Sequence, residues 1–336
     1  MEFSLLLMRN AIETYAGGLI SRFRVRSRRS VLFFEDILAE YVKECDDSGH
    51  GRKIMDAIEE AGALMTASLI PGFMRPISPT LIINVAGRTI WRSIGALDDI
   101  KLEINGDRCT VSMKNEVIDR VIGGNSFVAG SWKGTCMVLL GKEMEYDGVA
   151  PRDGWNRYEY RITDIPELPL PSKPKEQYDA MNRYIPTEGL TLKDAIMNGV
   201  FNVKGNSVYF RGRRLCYFEN TYYHLLGIKG PMLEKVQDIA KAYFDGLIEK
   251  DATETERLKL LKTLLQSMGW GFVAIEIKPD GNVRIVIDSP PVGLQMKDDY
   301  SFLANTIAGY MKVIDDRFEM ESVAYGERKL SLDFVR

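Results

Sequence analysis

Parts of this chain occur twice, and that constrains its fold more than any other feature. Ala11-Ile12 recurs as Ala195-Ile196 and Phe34-Glu35 as Phe218-Glu219, both 184 positions apart. Phe127, Ala129 and Gly134 recur as Phe302, Ala304 and Gly309, now 175 positions apart. An offset that holds within a block and shifts by a few residues between blocks is what two copies of one fold with unequal loops produce. The 336 residues therefore read as two units of about 150 residues rather than one oversized core. Residues 166–174 read Pro-Glu-Leu-Pro-Leu-Pro-Ser-Lys-Pro, and four prolines in nine residues favour an extended, semi-rigid spacer. We expect a first domain over 1–165, a proline-rich linker over 166–186 and a second domain over 187–336.

Each copy reads in the same order. A short helix comes first, over 5–15 in copy one and 192–197 in copy two. A hairpin-like stretch follows, then Phe33-Phe34-Glu35-Asp36 and Tyr217-Phe218-Glu219-Asn220, whose polar residues are placed to open a helix. Longer helices are expected over 53–69 and 232–250, and copy two adds another over 253–268 with leucines on one side. Alternating apolar and polar residues over 100–113, around Asn105-Gly106, and over 272–287, around Pro279-Asp280-Gly281, mark antiparallel hairpins with one wet face. A helix with small residues on one side follows each, over 126–140 and 300–314, and strands at 157–163 and 329–335 close the copies. The expected class is α+β: two similar domains, each an antiparallel sheet packed on one face by helices.

Composition excludes more than it identifies. A net charge of −3 gives no bulk attraction to nucleic acid or anionic membrane, and no helix-turn-helix is evident. No apolar run approaches the roughly 18 residues of a membrane span. Four scattered cysteines without CxxC spacing point to reduced thiols and a cytoplasmic setting. Phosphate-cradling glycine motifs are missing: Gly123-Gly124 and Gly227-Ile-Lys-Gly230 are not followed by GK[ST].

The second copy resembles the 4-vinyl-reductase-like domain family, a small-molecule-binding fold distantly similar to subunits of the vesicle-tethering transport particle. The residues that carry the likeness are 208–217, Ala242-Tyr243-Phe244, the hairpin 275–288, Phe302-Leu-Ala-Asn-Thr-Ile-Ala-Gly309, and Tyr325-Gly-Glu-Arg-Lys-Leu-Ser-Leu-Asp-Phe334. Copy one matches by way of copy two. The resemblance implies a cavity between helices and sheet, ringed by aromatic residues. Many family members also hold a metal through cysteines in the small-residue helix and the last strands. Here the final hairpin has no cysteine or histidine and copy one keeps only Cys136 in its helix, so neither a metal nor a cofactor is expected.

Chemistry-bearing residues are few. His50 lies in a polar loop that reads as solvated, and His224 follows Tyr222-Tyr223 near the implied pocket, either as a ligand contact or as a hydrogen-bonded core histidine. Asp298-Asp299 and Asp315-Asp316 are adjacent pairs whose side chains diverge, unlike a catalytic dyad. A basic cluster at Arg22, Arg24, Arg26, Arg28 and Arg29, alternate over its first four members, defines one strand face: a solvated edge, or, at Arg24, Arg26 and Arg28 above all, a contact for an anion, a partner's acidic surface or nucleic acid. The candidate ligand contacts are His224, Tyr243, Trp270, Tyr300, Phe302 and Tyr310, with ordinary core packing as the plain alternative. The expected function is a non-catalytic protein that senses or carries a small hydrophobic molecule. The alternative is a scaffold or assembly subunit that binds a protein through its paired copies, joined within the chain as a pseudo-dimer or between chains as a homodimer.

Overall fold

The computed structural model describes residues 12–23, 26–69, 77–166, 188–294, 297–326 and 328–336. The first half runs β1 (Ile12–Tyr15), β2 (Gly18–Phe23) and β3 (Arg26–Phe34), then the helices Glu35–Asp47 and Gly51–Leu69 and a helical stretch over 79–93. It continues with β4 (Asp99–Asn105), β5 (Arg108–Lys114), the Ser126–Leu140 helix, β6 (Lys142–Arg152) and β7 (Trp155–Pro166). The second half opens with a short helix, Leu192–Met197, and repeats the order with β8 (Phe201–Lys204), β9 (Ser207–Phe210) and β10 (Arg213–Glu219). Helices Thr221–Lys229, Lys235–Asp245 and Glu254–Ser267 follow, then β11 (Phe272–Ile277), β12 (Val283–Asp288), the Ser301–Ile314 helix, β13 (Glu319–Gly326) and β14 (Lys329–Val335). Among the described residues, no helix is long and apolar enough to cross a membrane.

Both halves carry a four-stranded antiparallel sheet of matching order, β4-β5-β7-β6 and β11-β12-β14-β13. Burial alternates along the strands: Val283, Ile285 and Ile287 of β12 face inward with Leu330, Leu332 and Phe334 of β14, while Arg284 faces water. This is the α+β arrangement with helices against one face of each sheet. The two three-stranded units at the starts of the halves, however, fuse into one six-stranded sheet, β1-β2-β3-β10-β9-β8. At the seam, Leu32 pairs with Tyr217 and Phe33 with Cys216. A shift of 184 residues exchanges these two pairs, so an approximate two-fold axis passes between them.

Local chemistry accounts for most elements. Thr253 and Glu256 form a reciprocal capping box at the start of Glu254–Ser267, with the Thr253 N–H 2.8 Å from Glu256 Oε2. The expected helix over 5–15 is not borne out where it can be checked. Ile12–Tyr15 is a strand paired to β2, because Ile, Thr and Tyr suit an extended edge, and 5–11 lie outside the described residues. The second long helix stops at Asp245, before Gly246. Pro166 ends β7, and the rest of the proline-rich segment, 167–187, also lies outside the described residues.

The small-residue helices explain themselves by contact. An added Cβ at Gly130 would overlap the Met55 carbonyl, and at Gly134 the Glu59 carbonyl. Gly309, the repeat counterpart of Gly134, stands in the same relation to the Gln237 carbonyl. Backbone-to-backbone approach of two helices is thus built into both halves. Gly134→Ala is expected to cost about 1–3 kcal/mol by overpacking, read as a lower urea midpoint with unchanged slope. An unchanged midpoint would show that the helices can part without penalty.

Candidate functional site: an aromatic core shared between the halves

β3 carries seven consecutive buried residues, from Arg28 to Phe34. A strand buried this way is covered on both faces, and its two phenylalanines enter the second half. Phe33 lies 4.8 Å from Tyr223, 5.5 Å from Phe302 and 6.0 Å from Trp270, centroid to centroid. Phe34 lies 4.9 Å from Phe244 and 5.4 Å from Tyr243. Tyr41, on the helix after β3, adds an edge-to-face contact with Phe302 at 5.1 Å. The exchange is reciprocal: Phe218 and Tyr222 of the second half pack on Phe127, the repeat counterpart of Phe302, at 6.0 and 5.7 Å. On that side Trp132, the other aromatic of copy one's small-residue helix, meets Trp91 at 4.8 Å.

The expected pocket residues separate into two groups. Trp270, Phe302, Tyr310 and Tyr243 belong to the shared core. Trp270 donates its indole N–H to the Leu32 carbonyl at 3.0 Å, and Tyr310 its hydroxyl to the Arg257 carbonyl at 2.8 Å. The Tyr243 hydroxyl is enclosed with no hydrogen-bond partner among the described residues, and burial holds it far above the usual phenol range. The space between Phe33, Phe34, Phe244, Trp270 and Tyr310 is about 10 Å³, at the threshold for a single water. His224 and Tyr300 form the second group. Their rings stand 4.7 Å apart, and both reach the Pro291 carbonyl at 3.0 Å.

The arginine row is arranged differently from the sequence expectation. Arg24 lies outside the described residues, and Arg26 is described by its backbone alone, in β3. Arg28 is only 4% exposed and donates to the Ser68 carbonyl at 3.1 Å, while Arg29 bonds the Gly17 and Ser289 carbonyls at 3.2 and 2.7 Å. Arg28 is therefore not a surface grip: alternation assigned it to a wet face, but both faces of β3 are covered.

Buried acids are what sequence reasoning missed, although the repeated Phe-Glu pair was the signal. Glu35 accepts the Ile118 N–H at 3.1 Å and pairs with Arg120. Its counterpart Glu219 accepts the Thr221 N–H at 2.9 Å; burial pushes its carboxyl up to about 7, against the opposing pull of Thr221 and Arg28. Asp119 is likewise pushed up to about 7 by burial, opposed by hydrogen bonds from Tyr158 and Asn156. Glu116 beside it is raised well above the carboxylate range, by burial first and Asp119 second. Glu116, Asp119 and Glu219 therefore hold protons near neutrality. Asp315 and Asp316 serve separate partners, Arg317 and Lys241, at 2.6 Å each. Among the described residues no cluster of three or more metal-ligating side chains could hold a metal.

No family model matches this chain, and no curated protein matches it. The resemblance to 4-vinyl-reductase-like domains therefore rests on the sequence pattern alone. Among solved structures, the chain is similar to a trafficking protein particle complex subunit 3 from Naegleria fowleri, whose structure has palmitic acid covalently bound. The identity is 10%, the alignment covers 40% of this chain and 98% of that one, and the TM-score is 0.28. A match this weak carries no functional argument.

Phe33→Ala should destabilise the whole molecule by about 3–5 kcal/mol, as for a large buried ring. It should do so in one cooperative transition, because the lost contacts lie in the other half; two separated transitions would contradict a shared core. Glu219 sets a pH trend. Its folded pKa lies above the ordinary glutamate value of 4.5, so its contribution is full below about 4.5 and is lost as pH rises through about 7. Glu219→Gln, which needs no proton, should raise stability at pH 8 by up to about 3 kcal/mol and flatten the profile between pH 4.5 and 7. A variant with the wild-type slope would remove Glu219 as its cause.

Proposed function

We propose that this chain is a non-catalytic assembly subunit that binds a protein partner through the outer face of one of its paired halves. The observation that carries this reading is an apolar face on the helical stretch 79–93. Leu81 and Val85 are 57% and 58% exposed, one turn apart, with Ile90 also exposed on the same stretch and Ile77 exposed just before it. Single exposed apolar residues are ordinary, but a set of them on one element marks an interaction surface. The corresponding helix of the second half, Glu254–Ser267, exposes Thr255, Glu256 and Lys259 instead. Ile82–Gly87 is a π-helical turn, an irregularity that re-aims side chains and recurs at functional positions.

The reading that sequence favoured, a sensor or carrier of a small hydrophobic molecule, draws support from the space beside Trp270, whose lining is aromatic and aliphatic apart from Thr306. At about 10 Å³ that space requires several rings to move before a ligand enters, against pockets of about 300–1,000 Å³ for typical small molecules. The partner-binding reading needs no such rearrangement. Native mass spectrometry of protein purified from its own source separates the two. We expect a complex of fixed stoichiometry that disappears in the Leu81→Asp/Val85→Asp variant, with thermal stability retained. A monomer carrying a small-molecule mass, in both wild type and variant, would reverse the order of the readings.

A further inference from the structure

His224, one of two histidines in the chain, is buried on the Thr221–Lys229 helix where that helix meets the connection from β12 to the Ser301–Ile314 helix. Its Nε2 lies 3.0 Å from the Pro291 carbonyl oxygen. Its Nδ1 lies 2.7 Å from the Asp299 carbonyl oxygen and 3.0 Å from the Asp299 N–H nitrogen. Neutral imidazole with its proton on Nε2 donates to Pro291 and accepts the Asp299 N–H at Nδ1. The imidazolium donates to both carbonyl oxygens. Each charge state thus finds its partners among the groups around the ring, and the Asp298 carboxylate, 3.9 Å from Nε2, stabilises the added charge.

We propose that His224 is a proton-operated clamp on Asp299, in which protonation replaces the Asp299 N–H with the Asp299 carbonyl as the partner of Nδ1. The exchange turns the backbone at Asp299. That residue governs the start of the next helix, because its Oδ1 accepts the Ser301 N–H at 2.7 Å. Tyr300 moves with it, since its ring packs on His224 and its hydroxyl shares the Pro291 carbonyl. The Ser301–Ile314 helix carries Leu303, Thr306, Ile307 and Tyr310 along the core space, so the clamp acts on the inner wall of the shared core.

The groups facing the ring set the direction. Asp298 and Asp299 come from the connection itself, and Tyr325 of β13 backs Tyr300 at 4.7 Å. Arg29 of β3 bonds the Ser289 and Pro290 carbonyls, and Glu219 at the end of β10 feels Asp298. Burial is the largest influence on the imidazole and lowers its affinity for a proton, with Asp298 the main opposing one. The clamp therefore closes below the ordinary histidine range of about 6.5.

The test is an NMR titration of the full chain carrying His50→Gln, which leaves His224 as the single imidazole. Between pH 7.5 and 4.5 we expect one ring to take up a proton below about 6.5, with the Asp299 and Ser301 amide resonances shifting at the same midpoint. The amide shifts should vanish on adding His224→Gln. A ring that stays neutral until the chain unfolds in acid overturns the proposal. So does a ring that titrates while the Asp299 and Ser301 amides remain still, and the His50→Gln chain alone decides both even if the second variant fails to fold.

Discussion

The antiparallel seam between β3 and β10 is the contact on which the rest of the molecule depends. Five residue pairs join the halves there, and net stabilisation of about 0.5–1.5 kcal/mol per hydrogen bond makes them a modest energetic term. Their importance is geometric. The seam delivers Phe33 and Phe34 into one half and Phe218, with Tyr222 just beyond it, into the other. Rings of this size bury about 150–250 Å² each, which at about 25 cal/mol per Å² amounts to several kcal/mol per side chain. Without the seam, Trp270 would lose both its ring contact with Phe33 and the Leu32 carbonyl that accepts its N–H.

A strand placed at such a seam cannot keep a wet face, and the charged groups follow from that. Arg28, Arg29, Glu35 and Glu219 all sit on or beside β3 and β10, and each is held by backbone groups or by an opposite charge. Burying a charge without such partners costs far more than burying one with them. These bonds also reach out of the central sheet to distant segments: Arg28 to Ser68, Arg29 to Ser289, Glu35 to Ile118. The polar groups thus tie the central sheet to the connections of both halves, while the aromatic groups fill the space between.

Duplication, hairpins and helices were legible in the sequence because each has a local signature. The Gly134 and Gly309 recurrence marked a small-residue helix face, which the structure places against the backbone of a neighbouring helix, and the alternation over 272–287 marked a half-buried hairpin. What could not be read was whatever depends on the other copy. Alternation turned Arg28 toward solvent because a single strand does not reveal what lies over its second face. The aromatic residues around Trp270 looked like the lining of a cavity because the rings that fill it, Phe33 and Phe34, come from the other half of the chain, far from Tyr223, Phe244 and Trp270 in sequence. The strand at Ile12–Tyr15 was read as helix because four residues are too few to display a period.

The two copies differ most where they do not touch. Residues at the seam must serve both halves at once, so the Phe-Glu pair recurs on both sides. The helical stretch 79–93 and its counterpart Glu254–Ser267 cover separate four-stranded sheets and turn their outer faces to water, where core packing places little demand on either. One face carries charge and the other Leu81 and Val85. A core that pins the shared interior and leaves the outer helices free lets one half keep a soluble exterior while the other displays an apolar one. The proposed partner-binding reading rests on that asymmetry rather than on the interior.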